Sequence, residues 1–111
     1  MTVYLSGPIT GISDYADRFE KAQRDLEHLG DLSVINPAAE PPRPNWGWAD
    51  WMIYDLSLVR KANVVVTMPG ADRSPGCKVE IAFAEGLGLP IVDLVDARWM
   101  LSEAAAWRKK A

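Results

Sequence analysis

Two carboxylates and one short turn carry most of the chemistry this chain could perform. Glu80 stands about one turn into an expected helix, just after Ser74-Pro75-Gly76-Cys77. A hydroxyl, a glycine and the free amides that open a helix suit an anion. A carboxylate in a first helical turn is also stabilised by the helix dipole, so a purely structural Glu80 remains open on these residues alone. Two features favour a functional one. The helix is otherwise apolar at Val79, Ile81, Ala82, Phe83 and Ala84, which predicts a buried setting. It also begins where an α/β sheet binds its ligands. Asp55 is the second carboxylate, beside the apolar stripe of an earlier helix, where an exposed helix acid is the alternative. Lys78 either steadies an anion or is simply solvated.

Other chemistries have little material. His28 is the only histidine and Cys77 the only cysteine, so a His-based triad, a His-rich metal site, a zinc cluster and an internal disulfide are all disfavoured. No cofactor is expected. The loop Ser6-Gly7-Pro8-Ile9-Thr10-Gly11 has two glycines for close backbone approach. It lacks the lysine ending of a phosphate-binding Walker loop and the spacing of a dinucleotide fingerprint, and a plain tight turn would also explain it.

These groups need a scaffold, and the pattern of elements supplies one. Val3–Ser6 reads as a strand, Asp14–Leu29 as a helix with apolar Ala16, Phe19, Ala22, Leu26 and Leu29, and Leu32–Ile35 as a second strand. A proline-rich loop follows. Trp46–Lys61 reads as a helix with Ala49, Met52, Leu56 and Val59 inward and Ile53 beside them. Val64–Met68 is a continuous apolar run, as in a central parallel strand. Lys78–Leu87 is the third helix, Ile91–Val95 the fourth strand, and about Leu101–Lys109 a last helix. Strands alternating with helices predict right-handed βαβ units. The expected fold is a single α/β domain over residues 1–111: a three-layer α/β/α sandwich of flavodoxin-like type with a four- to five-stranded parallel sheet. Ligands then bind at the carboxyl ends of the strands, near the loops Ser6–Ser13, Asn36–Trp48 and Met68–Cys77.

Composition limits the partners. Of 111 residues, 49% are hydrophobic and 24% charged, the balance of a globular domain. A net charge of −3 argues against binding a nucleic-acid polymer, and the one basic cluster, Arg108-Lys109-Lys110, suits a solvated helix end. No apolar run approaches a membrane span, and no basic-plus-apolar signal segment opens the sequence, so a cytoplasmic protein is expected. Trp46, Trp48 and Trp51 suit either a subunit interface or a pocket wall.

From Val3 to about Leu94 the chain resembles the nucleoside 2-deoxyribosyltransferase-like superfamily, and within it a small domain family of unassigned function frequent in bacteriophage genomes. The resemblance rests on Tyr4-Leu5-Ser6-Gly7-Pro8-Ile9-Thr10-Gly11, Asn36-Pro37-Ala38, Asp50-Trp51-Met52 leading to Asp55-Leu56, Ala62-Asn63, Met68-Pro69-Gly70 and Ser74-x-Gly76-x-x-x-Glu80. It implies that Glu80 is a nucleophile attacking C1′ of a 2-deoxyribosyl group and expelling the base, as in a retaining glycosidase. It implies that Asp55 orients substrate and nucleophile or assists proton transfer. Tyr4 and the loop Ser6 to Gly11 would shape the base and sugar pocket. Deoxyribosyltransferases on free nucleosides resemble one another in an aspartate six residues before the nucleophile, whereas the branch cleaving deoxynucleoside 5′-monophosphates has a serine there. Ser74 occupies that place, and Ser102 resembles, with a small gap, a serine of that branch that reaches a neighbouring subunit's phosphate.

The implied activity is therefore an N-glycosidase on a 2′-deoxynucleoside 5′-monophosphate, in a homo-oligomer, with Ser74, Gly76 and Lys78 on the substrate. The alternatives are a base-exchanging deoxyribosyltransferase and a non-catalytic nucleotide-binding module. This chain departs from the monophosphate branch at Thr10, where an arginine contacts phosphate, at Lys78, where a glycine stands, and at Asn63, where an aspartate precedes the third strand.

Overall fold

The computed structural model describes residues 1–101. Ser102, the basic cluster and nearly all of the expected last helix lie outside the described residues.

Four parallel strands form the sheet: β1 (Thr2–Ser6), β2 (Ser33–Ile35), β3 (Val64–Thr67) and β4 (Ile91–Asp93), in the order β2-β1-β3-β4. Tyr4 lies opposite Val65 of β3 and Ile35 of β2, and Ser6 lies opposite Thr67. Three α-helices connect them: α1 (Tyr15–Glu27), α2 (Trp48–Val59) and α3 (Pro75–Gly86). Residues 94–101 are also helical.

Strand alternation divides the core into two layers. Val3, Leu5, Val64 and Val66 face α1, through Phe19, Ala22 and Leu26, and the helix of residues 94–101, through Ala97 and Leu101. Tyr4 and Val65 face the other way, against Val59 of α2, Ala62 and Ala84 of α3. The result is the three-layer α/β/α sandwich of flavodoxin-like type. Its order reverses between β1 and β3, the switch point at which such sheets open a crevice.

The helix starts differ from the sequence pattern for capping reasons. Helix α3 begins at Pro75, because Ser74 is its N-cap and proline fits the first helical position. Gly47 precedes α2, and the Asp50 carboxylate accepts the Gly47 N–H at 2.8 Å. Strand β4 stops at Asp93, short of Val95, because the Asp93 carboxylate accepts the Asp96 N–H at 2.9 Å and starts a helix there. The helix that contains Leu101 thus starts at residue 94.

Helix α2 buries the middle and end of its expected stripe. Met52 and Val59 are buried, with half-buried Asp55 and Leu56 between them. Ala49 is exposed and Ile53 is 72% exposed, unlike the expectation. The apolar residues of α2 surround most of the helix, and periodicity alone does not select the whole inward arc. That arc also takes in Asp55.

Candidate functional site

The site forms where α3 crosses the carboxyl end of β1. Cys77, Glu80 and Ala84 repeat at helical spacing and make the inward row of α3. Val79 and Ala82 point outward, so Glu80 is buried through its own row rather than by its apolar sequence neighbours. On β1, Tyr4 and Ser6 share the face turned toward that row, two residues apart. The Tyr4 hydroxyl donates to Glu80 Oε2 in a very short hydrogen bond. The Ser6 hydroxyl donates to Oε1 at 2.9 Å. Tyr4 and Ser6 are fully buried and Glu80 is 5% exposed.

A buried carboxylate is costly unless its oxygens find donors. Here each oxygen has one, both neutral. Burial pushes the Glu80 pKa up to about 7; the bonds from Tyr4 and Ser6 pull it down and the charge of Asp55 pushes it up. Burial and the neighbouring Glu80 and Asp55 carboxylates drive the Tyr4 phenol far above its ordinary range, so it remains a donor at every physiological pH. The Cys77 thiol is also raised, chiefly by burial and against the hydroxyls of Ser6 and Ser74, and is neutral at pH 7.

Asp55 approaches from α2. Its Oδ1 is buried and has no hydrogen-bond partner among the described residues. Burial, and then the negative charge of Glu40, raise its pKa to about 6. Asp55 and Glu80 thus both titrate near neutrality, where general acid–base and nucleophilic carboxylates do their work.

Glu40 was not visible as a functional candidate, since a single acid in a proline-rich loop carries no pattern. Its carboxylate accepts the Tyr54 hydroxyl at 2.5 Å and lies 3.6 Å from Arg43. Arg43 stacks over Trp46, 4.4 Å from the ring centre, and Trp46 meets Trp51 edge-on at 4.8 Å. This cluster fastens the loop to α2 beside Asp55. Glu40→Gln is expected to lower the Asp55 pKa from about 6 toward its ordinary value, read by carboxyl NMR titration. An unmoved titration would show that burial alone sets it.

The N-terminus of α3 is the other polar feature. Ser74 Oγ accepts the Cys77 N–H at 3.3 Å, which leaves the hydroxyl proton to donate. A methyl group built on Gly76 would stand 3.4 Å from Met52 Sδ and 4.0 Å from Trp48 Nε1. Trp48 therefore brings an indole N–H to this end of the helix. Lys78 and Thr10 are exposed. In the first loop, Pro8 and Ile9 are half-buried and Gly11 adopts φ +80°. The close approach that Gly7 permits is to protein: a Cβ there would lie 2.8 Å from Met68 Sδ and 3.0 Å from Phe19 Cζ.

One family matches over residues 1–93, a span that holds Tyr4, Ser6, Asp55, Ser74 and Glu80. The chain belongs to the family described as Domain of unknown function (DUF4406). No curated protein and no solved structure matches this DUF4406 chain. Among its described residues no group of three or more His, Cys, Asp or Glu is placed to hold a metal ion, and no helix is long and apolar enough to cross a membrane.

Proposed function

We propose that the protein is an N-glycosidase that cleaves the base–sugar bond of a 2′-deoxynucleoside 5′-monophosphate through a covalent glycosyl–Glu80 intermediate. The observation that carries this reading is the buried Glu80 carboxylate, held by Tyr4 and Ser6 at the sheet's switch point with Asp55 beside it. The superfamily resemblance supports the same residues in the same roles.

In this reading a Glu80 oxygen attacks C1′ as the bond to the base breaks, and the transition state carries oxocarbenium charge on the sugar. A buried anion opposite that charge is worth more than one in water. The two hydroxyl donors fix the carboxylate without neutralising it. The leaving base takes a proton from Asp55, whose raised pKa keeps part of the population protonated near pH 6. Water then attacks C1′, with Asp55 accepting its proton, and frees the sugar phosphate and Glu80. The 5′-phosphate fits the α3 N-terminus, where the Ser74 hydroxyl, the Gly76 N–H and the Trp48 indole N–H are donors, the Cys77 and Lys78 amides being bonded to Ser74.

The test is a panel of deoxynucleoside 5′-monophosphates with free base measured by chromatography. Release should require the phosphate and should follow a bell-shaped pH profile centred between about 6 and 7, since the paired carboxylates titrate together there. The low-pH limb reflects protonation of the nucleophile and the high-pH limb loss of the acid's proton. Base exchange between two free nucleosides would favour a transferase, and binding of monophosphates without release would leave a non-catalytic module.

A further inference from the structure

We propose that a second pocket, on the opposite face of the sheet from Glu80, binds a small phosphomonoester. A cleft of about 270 Å³ opens between α1 and the helix of residues 94–101. Arg18 and Lys21 of α1 and Arg98 of the later helix line it, with Asp25 as its one acid among the described residues and Ala22 and Met68 as its apolar floor. Pro8 and Pro69, from the loops after β1 and β3, form the rim toward the sheet edge. The Glu80 site packs on the α2–α3 side, so the two sites are separated by the sheet itself. The inference does not rest on the proposed glycosidase activity.

The charge pattern defines the ligand. The protein is acidic overall at −3, yet among the described residues three cations and one acid line this cleft, with Asp14 beside it on Arg18. Arg18 Nε is held by Asp14 at 2.9 Å and Arg98 Nη2 by Asp25 at 2.7 Å. Each ion pair fixes its guanidinium and leaves further N–H donors unused among the described residues. Lys21 forms no ion pair among the described residues. Two guanidinium forks and an ammonium favour a phosphate dianion, which carries a charge of roughly −1.5 to −2 at pH 7 and three acceptor oxygens. The floor of Ala22 and Met68 suits the carbon body of an ester rather than a bare ion. At about nine water volumes the cleft holds a sugar phosphate and is small for a larger ligand. Leu94 and Arg98 lie beyond the residues matched by the family, so this pocket is not built from the family's shared span alone.

The experiment is a titration of the full chain with ribose 5-phosphate, followed by amide NMR shifts and calorimetry, with ribose, inorganic phosphate and succinate as parallel probes. The expected result is saturable shifts along α1 around Lys21 with ribose 5-phosphate, weaker binding of inorganic phosphate, and none with ribose or succinate. Lys21→Glu and Arg98→Ala should each weaken binding at least tenfold. Lys21 is exposed, so its reversal leaves the fold intact, and Lys21→Gln serves as the milder variant. The shifts should persist in Glu80→Gln, which separates this pocket from the Glu80 site. Shifts confined to the neighbourhood of Ser74, succinate binding as tightly as the ester, undiminished binding in Lys21→Glu, or no saturable shift into the millimolar range would each overturn the proposal.

Discussion

Glu80→Gln is expected to abolish base release, by at least about 10³-fold, and in the same protein to raise the unfolding midpoint at alkaline pH. The first effect follows from losing the nucleophile. The second follows from burial. Glu80 holds its proton up to about pH 7 in the folded state against an ordinary value of 4.5. The group's contribution to stability is complete below the ordinary value and is lost as pH rises through 7. The loss is on the order of 3 kcal/mol, or roughly 10 °C in a domain of this size. Glutamine cannot ionise, and its amide can still meet the rotatable hydroxyls of Tyr4 and Ser6. The stability gap between variant and wild type should therefore open between about pH 5 and 8. Asp55 leaves a smaller slope of the same sign in both proteins. A gap independent of pH would mean that folding does not raise the Glu80 pKa. A fully active glutamine variant would end the nucleophile assignment.

Tyr4→Phe is the second large expected effect, and it differs in kind. The ring is buried and phenylalanine keeps its shape, but one of the two donors to the Glu80 anion disappears. A hydrogen bond to a charged group is worth roughly 1.5–3 kcal/mol. The Glu80 pKa should climb by about one to two further units, and base release at neutral pH should fall about 10- to 100-fold. The optimum should move upward by about half a unit to one unit, because the low-pH limb follows Glu80 while the high-pH limb set by Asp55 stays in place, and the maximum stays reduced. A merely structural loss would leave the optimum where it is, so the measurement is the full pH–rate profile of the variant. An unshifted low-pH limb would count against Tyr4 as the group that holds the nucleophile.

Much of this arrangement is legible in the residues, and the parts that are not have identifiable reasons. The alternation of strands and helices gives the parallel sheet, and the Val64–Met68 run marks β3 as central. Glu80 is visible as a carboxylate near the ligand edge, and Asp55 as one beside the apolar stripe of α2. The hydroxyls of Tyr4 and Ser6 are harder to interpret. Two polar side chains two residues apart on a buried strand announce that something on that face must bond them, but not that the partner lies more than seventy residues away. Along α2, Met52 and Val59 face inward as their spacing predicts, but apolar residues surround most of the helix, and spacing alone does not tell that Ala49 and Ile53 stay exposed while Asp55 joins the inward arc. Ser74-Pro75-Gly76 reads locally as a turn and is in fact a helix start, since an N-cap and a first-turn proline use the same residue types as a loop. Glu40 had no sequence signal at all, because its influence on Asp55 arises only when the proline-rich loop folds back onto α2.

The position of β1 has a bearing on how this centre fails. Tyr4 and Ser6 reach Glu80 across separations of 76 and 74 residues, from a strand flanked on both sides by others. Peripheral segments of a small domain open and close at little free-energy cost, but an interior strand parts only when the whole sheet does. The carboxylate cannot shed its two donors by fraying of the strand that carries them. Protection of the Tyr4 and Ser6 amides against hydrogen exchange should match the global stability of the domain, and the centre should be lost in a single step with the fold.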